Sequence, residues 1–310
     1  MNANAIFEGG GMRGIGIIGA LSYFEQKGYT WNKVAGTSAG ALIASLISAG
    51  YSSKNLKDMI INLNFLKFLD ANKLQRFPLV GKAIGFVKEK GLYSGDYLED
   101  WVNNLLTVKK IYSFGDLKSN GKGDLKIIAS DITKRRILTL PDDLPSYGID
   151  PDSFSISKAV RMSVSIPFYF KPVELKGKDG ISYIVDGGIC CNFPIDIFDE
   201  DTPPTIPTFG FKFNNINLGY TASGKTDPLS FLFDIADTMK SQQDAPWTQE
   251  ENIKRTVFIP TLGVDPIEFN ISKEKNIALF KSGYRSARDF LQKWNFETYI
   301  QKYYANFNTN

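Results

Sequence analysis

The chain contains no histidine. A Ser-His-Asp triad is therefore excluded, and any serine hydrolase chemistry needs another general base. Cysteine is almost as scarce: Cys190 and Cys191 are the only two, and adjacent cysteines cannot staple distant parts of a chain. That usage fits a reducing compartment. With no histidine and no spaced cysteine pair, no zinc site or other metal is expected. No apolar run is long enough to span a bilayer; the best, Ala39–Gly50, is too short. Met1–Phe7 has neither a basic region nor a long apolar stretch, so it is not a signal peptide. Charge of one sign is also missing, since 36 Lys and Arg stand against 33 Asp and Glu for a net +3. Such a balance does not call for nucleic acid, though it is compatible with an anionic membrane surface. The expectation is a cytoplasmic protein that visits membranes peripherally.

Of the 310 residues, 43% are hydrophobic and 22% charged, the composition of a globular chain with ample core. Ala3–Glu8 is short and apolar enough for a buried strand. Ile17, Ala20, Leu21 and Phe24 then recur on one helix face, with Gly28 as the stop. Val34–Gly36 reads as a second strand and Ala39–Ala49 as the next helix. Two β-turn-α units in succession predict an α/β layered fold with a parallel sheet. Residues 53–106 read as helical with loops. Further strands are expected at Leu125–Ser130, Arg136–Leu140, Tyr183–Val185, Thr208–Phe213 and Val257–Ile259. Ile277, Phe280, Tyr284, Ala287, Leu291 and Trp294 predict a late amphipathic helix. The candidate site residues run from Gly9 to Asp186, so residues 1–310 read as one domain.

Gly36-Thr37-Ser38-Ala39-Gly40 is a G-x-S-x-G string between a strand and a helix. There a serine sits on a tight turn with its hydroxyl at a helix N-terminus, the arrangement of a nucleophile elbow. The competing reading is a helix-capping serine. Gly9, Gly10 and Gly11 follow a strand and precede a helix, and their backbone N–H groups are of the kind that hold an oxyanion. Arg13 is placed to support that loop or to touch a phosphate. For the base, Asp186 ends an apolar strand and precedes Gly187 and Gly188, at the sheet edge where α/β sites assemble. Asp131, after Ile127–Ser130, occupies a similar strand end and competes with it. S-x-x-K strings at Ser119, Ser155 and Ser272 lack companion motifs.

Two strings point to nucleotides instead. Gly14-Ile15-Gly16-Ile17-Ile18-Gly19 matches G-x-G-x-x-G, but within a helical pattern and with no carboxylate ending the next strand. Gly219–Thr226 matches the P-loop string completely. Asn214–Asn217 interrupts before it, however, and Pro228 moves the helix start past the Lys225-Thr226 pair.

Together, Gly9–Gly14, Gly36–Gly40 and Asp186-Gly187-Gly188 resemble the motifs of patatin-like phospholipases. Ala159–Pro167 is similar to that family's alanine-serine-proline block, with Met162 and Ser165 where alanines are frequent. Asp186–Pro194 continues its Asp-Gly-Gly block with Asn192 and Pro194, and Ser130–Thr133 resembles a family segment that makes Asp131 structural. The resemblance covers about residues 5–194, with fainter similarity at Leu279–Tyr284. It implies a three-layer α/β/α fold with a mainly parallel sheet, a motif-bearing core over about 5–215, a helical cap over about 53–106 and a C-terminal extension over about 228–306. It further implies a Ser38–Asp186 dyad, oxyanion donors among Gly9, Gly10 and Gly11, and support from Arg13, Gly36, Gly40, Gly187 and Gly188. The expected activity is phospholipase A-type hydrolysis through an acyl-enzyme, with no cofactor. The lipid surface is the expected partner, and an activating protein is a further expected possibility. The alternatives are acyl transfer, an NTP-binding protein using 219–226, and a silent lipid-binding scaffold. Within Asn62–Val87 two readings stand side by side: the segment covers the site or meets the bilayer, with Phe65 and Phe68 buried in lipid and Lys67, Lys73, Arg76 and Lys82 facing head groups, or it is ordinary core with solvated lysines.

Overall fold

A computed structural model describes residues 1–70, 90–121, 124–214, 238 and 249–304. The P-loop-like string 219–226, residues 227–237 and 239–248 of the segment that follows it, and Lys73, Arg76 and Lys82 lie outside the described residues.

The chain opens with β1 (Asn2–Phe7), α1 (Gly14–Gln26), β2 (Thr30–Thr37), α2 (Ala39–Ser48) and α3 (Ser53–Ile61). β3 (Gly91–Tyr93), α4 (Asp96–Val108) and α5 (Phe114–Ser119) follow. Next come β4 (Leu125–Asp131), β5 (Arg136–Leu140), α6 (Ile156–Ser163), β6 (Phe168–Phe170), β7 (Val173–Gly177) and β8 (Gly180–Asp186). β9 (Thr208–Asn214), α7 (Glu250–Lys254), β10 (Thr256–Pro260), α8 (Lys273–Leu291) and α9 (Phe296–Tyr303) complete the described strands and α-helices, beside short 3-10 turns.

Eight strands form one sheet in the order β10-β9-β1-β2-β4-β8-β7, with β5 also on β4. The run from β10 to β4 is parallel, and β5, β8 and β7 add an antiparallel wing. This is the expected α/β class, a mostly parallel central sheet with helices around it. β1 is central because alternate residues bury on both faces. Ala3, Ala5 and Phe7 join the main core, whereas Ile6 packs with Ala35, Phe193, Ile195 and Phe198 on the other face.

The glycines of 14–19 have a packing role. α1 lies against α8, and a Cβ at Gly19 would overlap the Phe280 carbonyl, as one at Gly283 would overlap that of Gly16. The G-x-G-x-x-G string thus sits inside a helix and lets two helices approach closely. α8 ends at Leu291, short of the expected Trp294, whose ring instead stacks on Phe290 at 5.6 Å. The second strand is longer than Val34–Gly36, and the supposedly helical 53–106 region contains strand β3, paired with β6.

The lipid-facing roles of Phe65 and Phe68 are overturned. Both sit in a single 3-10 turn, 9% and 4% exposed, and Phe68 packs its ring 5.4 Å from Trp101 and 5.9 Å from Tyr97. Leu66 and Lys67 are the exposed members of that turn. An aromatic pair covers more apolar area by closing onto α4 than by standing in water, so the turn folds inward. Phe68→Ser should therefore destabilise the fold by about 3–5 kcal/mol in a urea titration. Unchanged stability with weakened vesicle binding would restore the lipid-facing reading.

Candidate active site

Ser38 links β2 to α2 with φ 54° and ψ −122°, a conformation that side chains rarely adopt. Strain of this kind costs about 1–3 kcal/mol and persists only where neighbours enforce it. The turn closes because Gly36 and Gly40 lack side chains. A Cβ at Gly40 would strike the Phe7 carbonyl and come within 2.8 Å of the Glu8 carbonyl, and one at Gly36 would run into Gly40. The Ser38 N–H donates to Ser163 Oγ at 2.8 Å, and Ser163 Oγ donates to the Ile128 carbonyl at 2.5 Å. Ser163 is fully buried, so this hydroxyl bolts the strained turn to β4.

β4 also places Asp186 next to Thr37, the residue before Ser38. Ile128 pairs with Thr139 of β5 and Thr37 of β2, and Ala129 pairs with Leu138 of β5 and Asp186 of β8. Since β5 takes one edge of β4 throughout, β2 and β8 share the other edge and meet there end to end. Thr37 and Asp186 thus occupy successive positions on that edge. A Cβ on Gly187 would overlap the Ile128 carbonyl and lie 2.9 Å from Thr37 Cγ2, so only glycine fits at the junction.

Asp186 is buried, 1% exposed. Its Oδ1 accepts from Gly188 N–H at 2.7 Å, and its own N–H donates to the Ser165 carbonyl at 2.8 Å. Oδ2 is buried with no hydrogen-bond partner. A buried acceptor without a donor costs about 1–3 kcal/mol, which marks this oxygen as the unusual group of the site.

The glycine loop lies alongside. A Cβ on Gly9 would sit 3.2 Å from Ser38 Cβ and would overlap Asn192 Oδ1. Gly9 does not have the free N–H expected of it: it donates to the Asn192 carbonyl at 3.1 Å. The loop crosses the Asp-Gly-Gly block here, and backbone pairing with it claims that donor. Among the described residues, the N–H groups of Gly10 and Gly11 have no partner. Gly11 has φ 53° and approaches the Pro266 carbonyl too closely for a Cβ. Arg13 Nε donates to the Val264 carbonyl at 2.7 Å, which ties the loop down.

Several supporting residues were not legible as such. Asn192 Nδ2 donates to the Gly9 carbonyl at 3.2 Å and Glu8 Oε1 at 3.3 Å. Glu8 in turn forms a buried ion pair with Lys212 at 2.6 Å and accepts from Phe213 N–H at 2.5 Å. Arg161 is 3% exposed and donates to Ser165 Oγ, to the Ser94 carbonyl, and to the Lys171 carbonyl at 2.8 Å. Burial pulls its guanidinium below its ordinary pKa. It connects the start of α4 to the residue that holds the Asp186 backbone. The motif blocks contained Ser163 and Asn192, but only their partners in space reveal what they do.

The competitors are accounted for. Asp131 Oδ1 accepts from the N–H groups of Thr133 (2.9 Å) and Lys134 (2.8 Å), and Oδ2 accepts from Tyr147 Oη at 2.6 Å. Burial works to raise its pKa, but these hydrogen bonds outweigh it and hold the group below the usual carboxylate range. Tyr147 is pushed up to about 12, by burial first and Asp131 second. Ser155 and Ser272 cap the N-termini of α6 and α8, and Ser119 donates back to Gly115 in its own helix. Among the described residues no group of three or more His, Cys, Asp or Glu could hold a metal, and no helix is long and apolar enough to cross a membrane.

Residues 5–199 match the family described as patatin-like phospholipase. The uncharacterized protein YqhO of Bacillus subtilis (strain 168) is 36% identical over 299 residues, covering 96% of this chain and 100% of its own length. The probable lipid hydrolase 463L of Invertebrate iridescent virus 6 is 27% identical over 195 residues, 62% of this chain and 61% of that protein. Among solved structures, VipD from Legionella pneumophila matches with a TM-score of 0.53 at 18% identity, over 94% of this chain and 66% of that one. ExoU of Pseudomonas aeruginosa, solved with SpcU, matches with a TM-score of 0.55 at 15% identity, over 94% of this chain and 52% of that one. These two likenesses are of fold. The family blocks and the fold agree, and the chain belongs to the patatin-like phospholipase family, a family of lipid hydrolases.

Proposed function

We propose that residues 1–310 form one catalytic domain that hydrolyses fatty-acyl esters of glycerophospholipids, with Ser38 as nucleophile and Asp186 as general base. The observation that carries this reading is the buried, unpartnered Oδ2 of Asp186 beside the strained Ser38 turn. In this scheme Oδ2 takes the Ser38 hydroxyl proton as Oγ attacks the ester carbonyl. The resulting oxyanion is held by Gly10 and Gly11 N–H groups and favoured by the N-terminus of α2. Collapse expels the lysophospholipid alcohol, which recovers the proton from Asp186. Water, deprotonated by the same carboxylate, then releases the fatty acid and regenerates Ser38. Membership of a lipid hydrolase family supports the substrate class, and no step calls for a metal or cofactor.

The test combines product and label. Phospholipid vesicles incubated with the protein should release free fatty acid, read by mass spectrometry. A fluorophosphonate should add once, to the peptide bearing Ser38. Neither release nor label, from vesicles or from a soluble ester, would sink the hydrolase reading.

A further inference from the structure

The antiparallel wing projects past the edge where β2 and β8 meet. β4 passes Asp186 at Ala129 and runs on to Asp131 before turning through 132–135 into β5. β8 reaches Asp186 from Gly180, where it pairs with Gly177 of β7. At about 3.4 Å per residue, the two hairpin ends stand roughly 13–20 Å beyond the Asp186 position.

These hairpins carry an unusual surface. Ile132, Ile137 and Ile181 are 48%, 43% and 48% exposed, three of the four large exposed isoleucines among the described residues. Ser130 pairs with both Ile137 and Val185, so Ile137 shares a face with Val185 and, by strand alternation, with Ile181. Ile181 in turn pairs with Lys176. Lys134, Arg135, Lys171, Lys176 and Lys178 are exposed around them. Residues 132–137 and 171–181 hold six lysines and arginines against two acids, while the whole chain nets only +3. One of the acids, Asp179, is paired with Lys134 at 3.4 Å. Lysines on edge strands also discourage strand pairing, and that accounts for part of the charge. It does not account for isoleucines standing in water between them.

We propose that this wing docks the protein on an anionic phospholipid bilayer. Ile132, Ile137 and Ile181 enter the acyl boundary, and Lys134, Arg135, Lys176 and Lys178 meet head-group phosphates. The occupant follows from charge complementarity combined with apolar tips, and from the wing's position on the sheet edge that carries Ser38. The purpose of docking rests on the lipid-ester reading above, whereas the surface rests on its own residues.

The experiment compares wild type with Ile132→Ser/Ile137→Ser/Ile181→Ser and with Lys134→Glu/Arg135→Glu/Lys176→Glu. Cosedimentation uses phosphatidylglycerol–phosphatidylcholine vesicles and phosphatidylcholine alone, beside hydrolysis of a soluble short-chain ester. Wild type should bind the anionic vesicles, less so as salt rises. Each cation near such a surface is worth about fivefold, so removing three weakens binding on the order of a hundredfold, and the charge-reversed variant should lose at least that much. The isoleucine variant should lose at least about tenfold, and both should keep soluble-ester turnover. The single variants Ile181→Ser and Lys176→Glu, each several-fold weaker, serve if a triple variant misfolds. Wild-type binding that is absent, indifferent to lipid charge, or unchanged in folded variants overturns the proposal. So does retention on immobilised polyglutamate without vesicle binding, which would assign the wing to an acidic protein. Vesicle binding that follows the variants without any ester hydrolysis would uphold docking and remove the hydrolase reading.

Discussion

Asp186→Asn should lower kcat for a soluble ester by about 10³-fold, equivalent to about 4 kcal/mol of transition-state stabilisation, with the protein still folded. The substitution is nearly isosteric, and the amide oxygen still accepts from Gly188 N–H where Oδ1 now does at 2.7 Å. The backbone bond to Ser165 is untouched. What changes is the oxygen that has no partner: an amide NH₂ there donates and cannot take a proton from Ser38. KM should move little, because in the proposed scheme the carboxylate acts on the serine proton and not on bound lipid. Ser38→Ala should fall at least as far, and the double variant no further than the worse single one, since the two groups act as a unit. Steady-state kinetics on the purified variants, with thermal melts as the folding control, decide it. A folded Asp186→Asn protein within tenfold of wild type would mean that the base is another group.

The second large effect is on stability. Lys212→Met should cost about 3–5 kcal/mol by urea denaturation. Glu8 and Lys212 are each 8% exposed in their side chains and 2.6 Å apart, so the variant takes this cation away from a buried carboxylate. Glu8 also accepts from Phe213 N–H and Asn192 Nδ2, and it immediately precedes the glycine loop. The damage should therefore reach the site: residual activity should fall alongside stability. Adding Glu8→Gln should recover most of the loss, because a neutral amide is far cheaper to bury than an orphaned charge. A single variant that loses less than about 1 kcal/mol would show that water or a neighbouring cation already screens Glu8.

The elbow at Ser38, the glycine turn at Gly9–Gly11 and the strand ending at Asp186 were legible from the chain because each is a local event. A glycine two residues from a serine, or an apolar run broken by Asp-Gly-Gly, constrains the backbone within one turn, and neighbouring residues carry that information. The α/β order followed from periodicity for the same reason. The choice between Asp131 and Asp186 was not settled by their local patterns, since both end apolar strands. Pairing separates them: Asp186 abuts Thr37 along β4, while Asp131, two residues further on, is surrounded by donors from its own hairpin and Tyr147. Gly9 lost its free N–H to Asn192, a residue far away in sequence. Phe65 and Phe68 turned inward onto α4, and the glycines of 14–19 proved to serve a helix some 260 residues later. Strand register and helix docking depend on contacts between distant segments, whose free energy is absent from any short window of sequence. The kinds of groups at this site can therefore be read along the chain, but which atoms remain unpartnered there emerges only when the sheet is assembled.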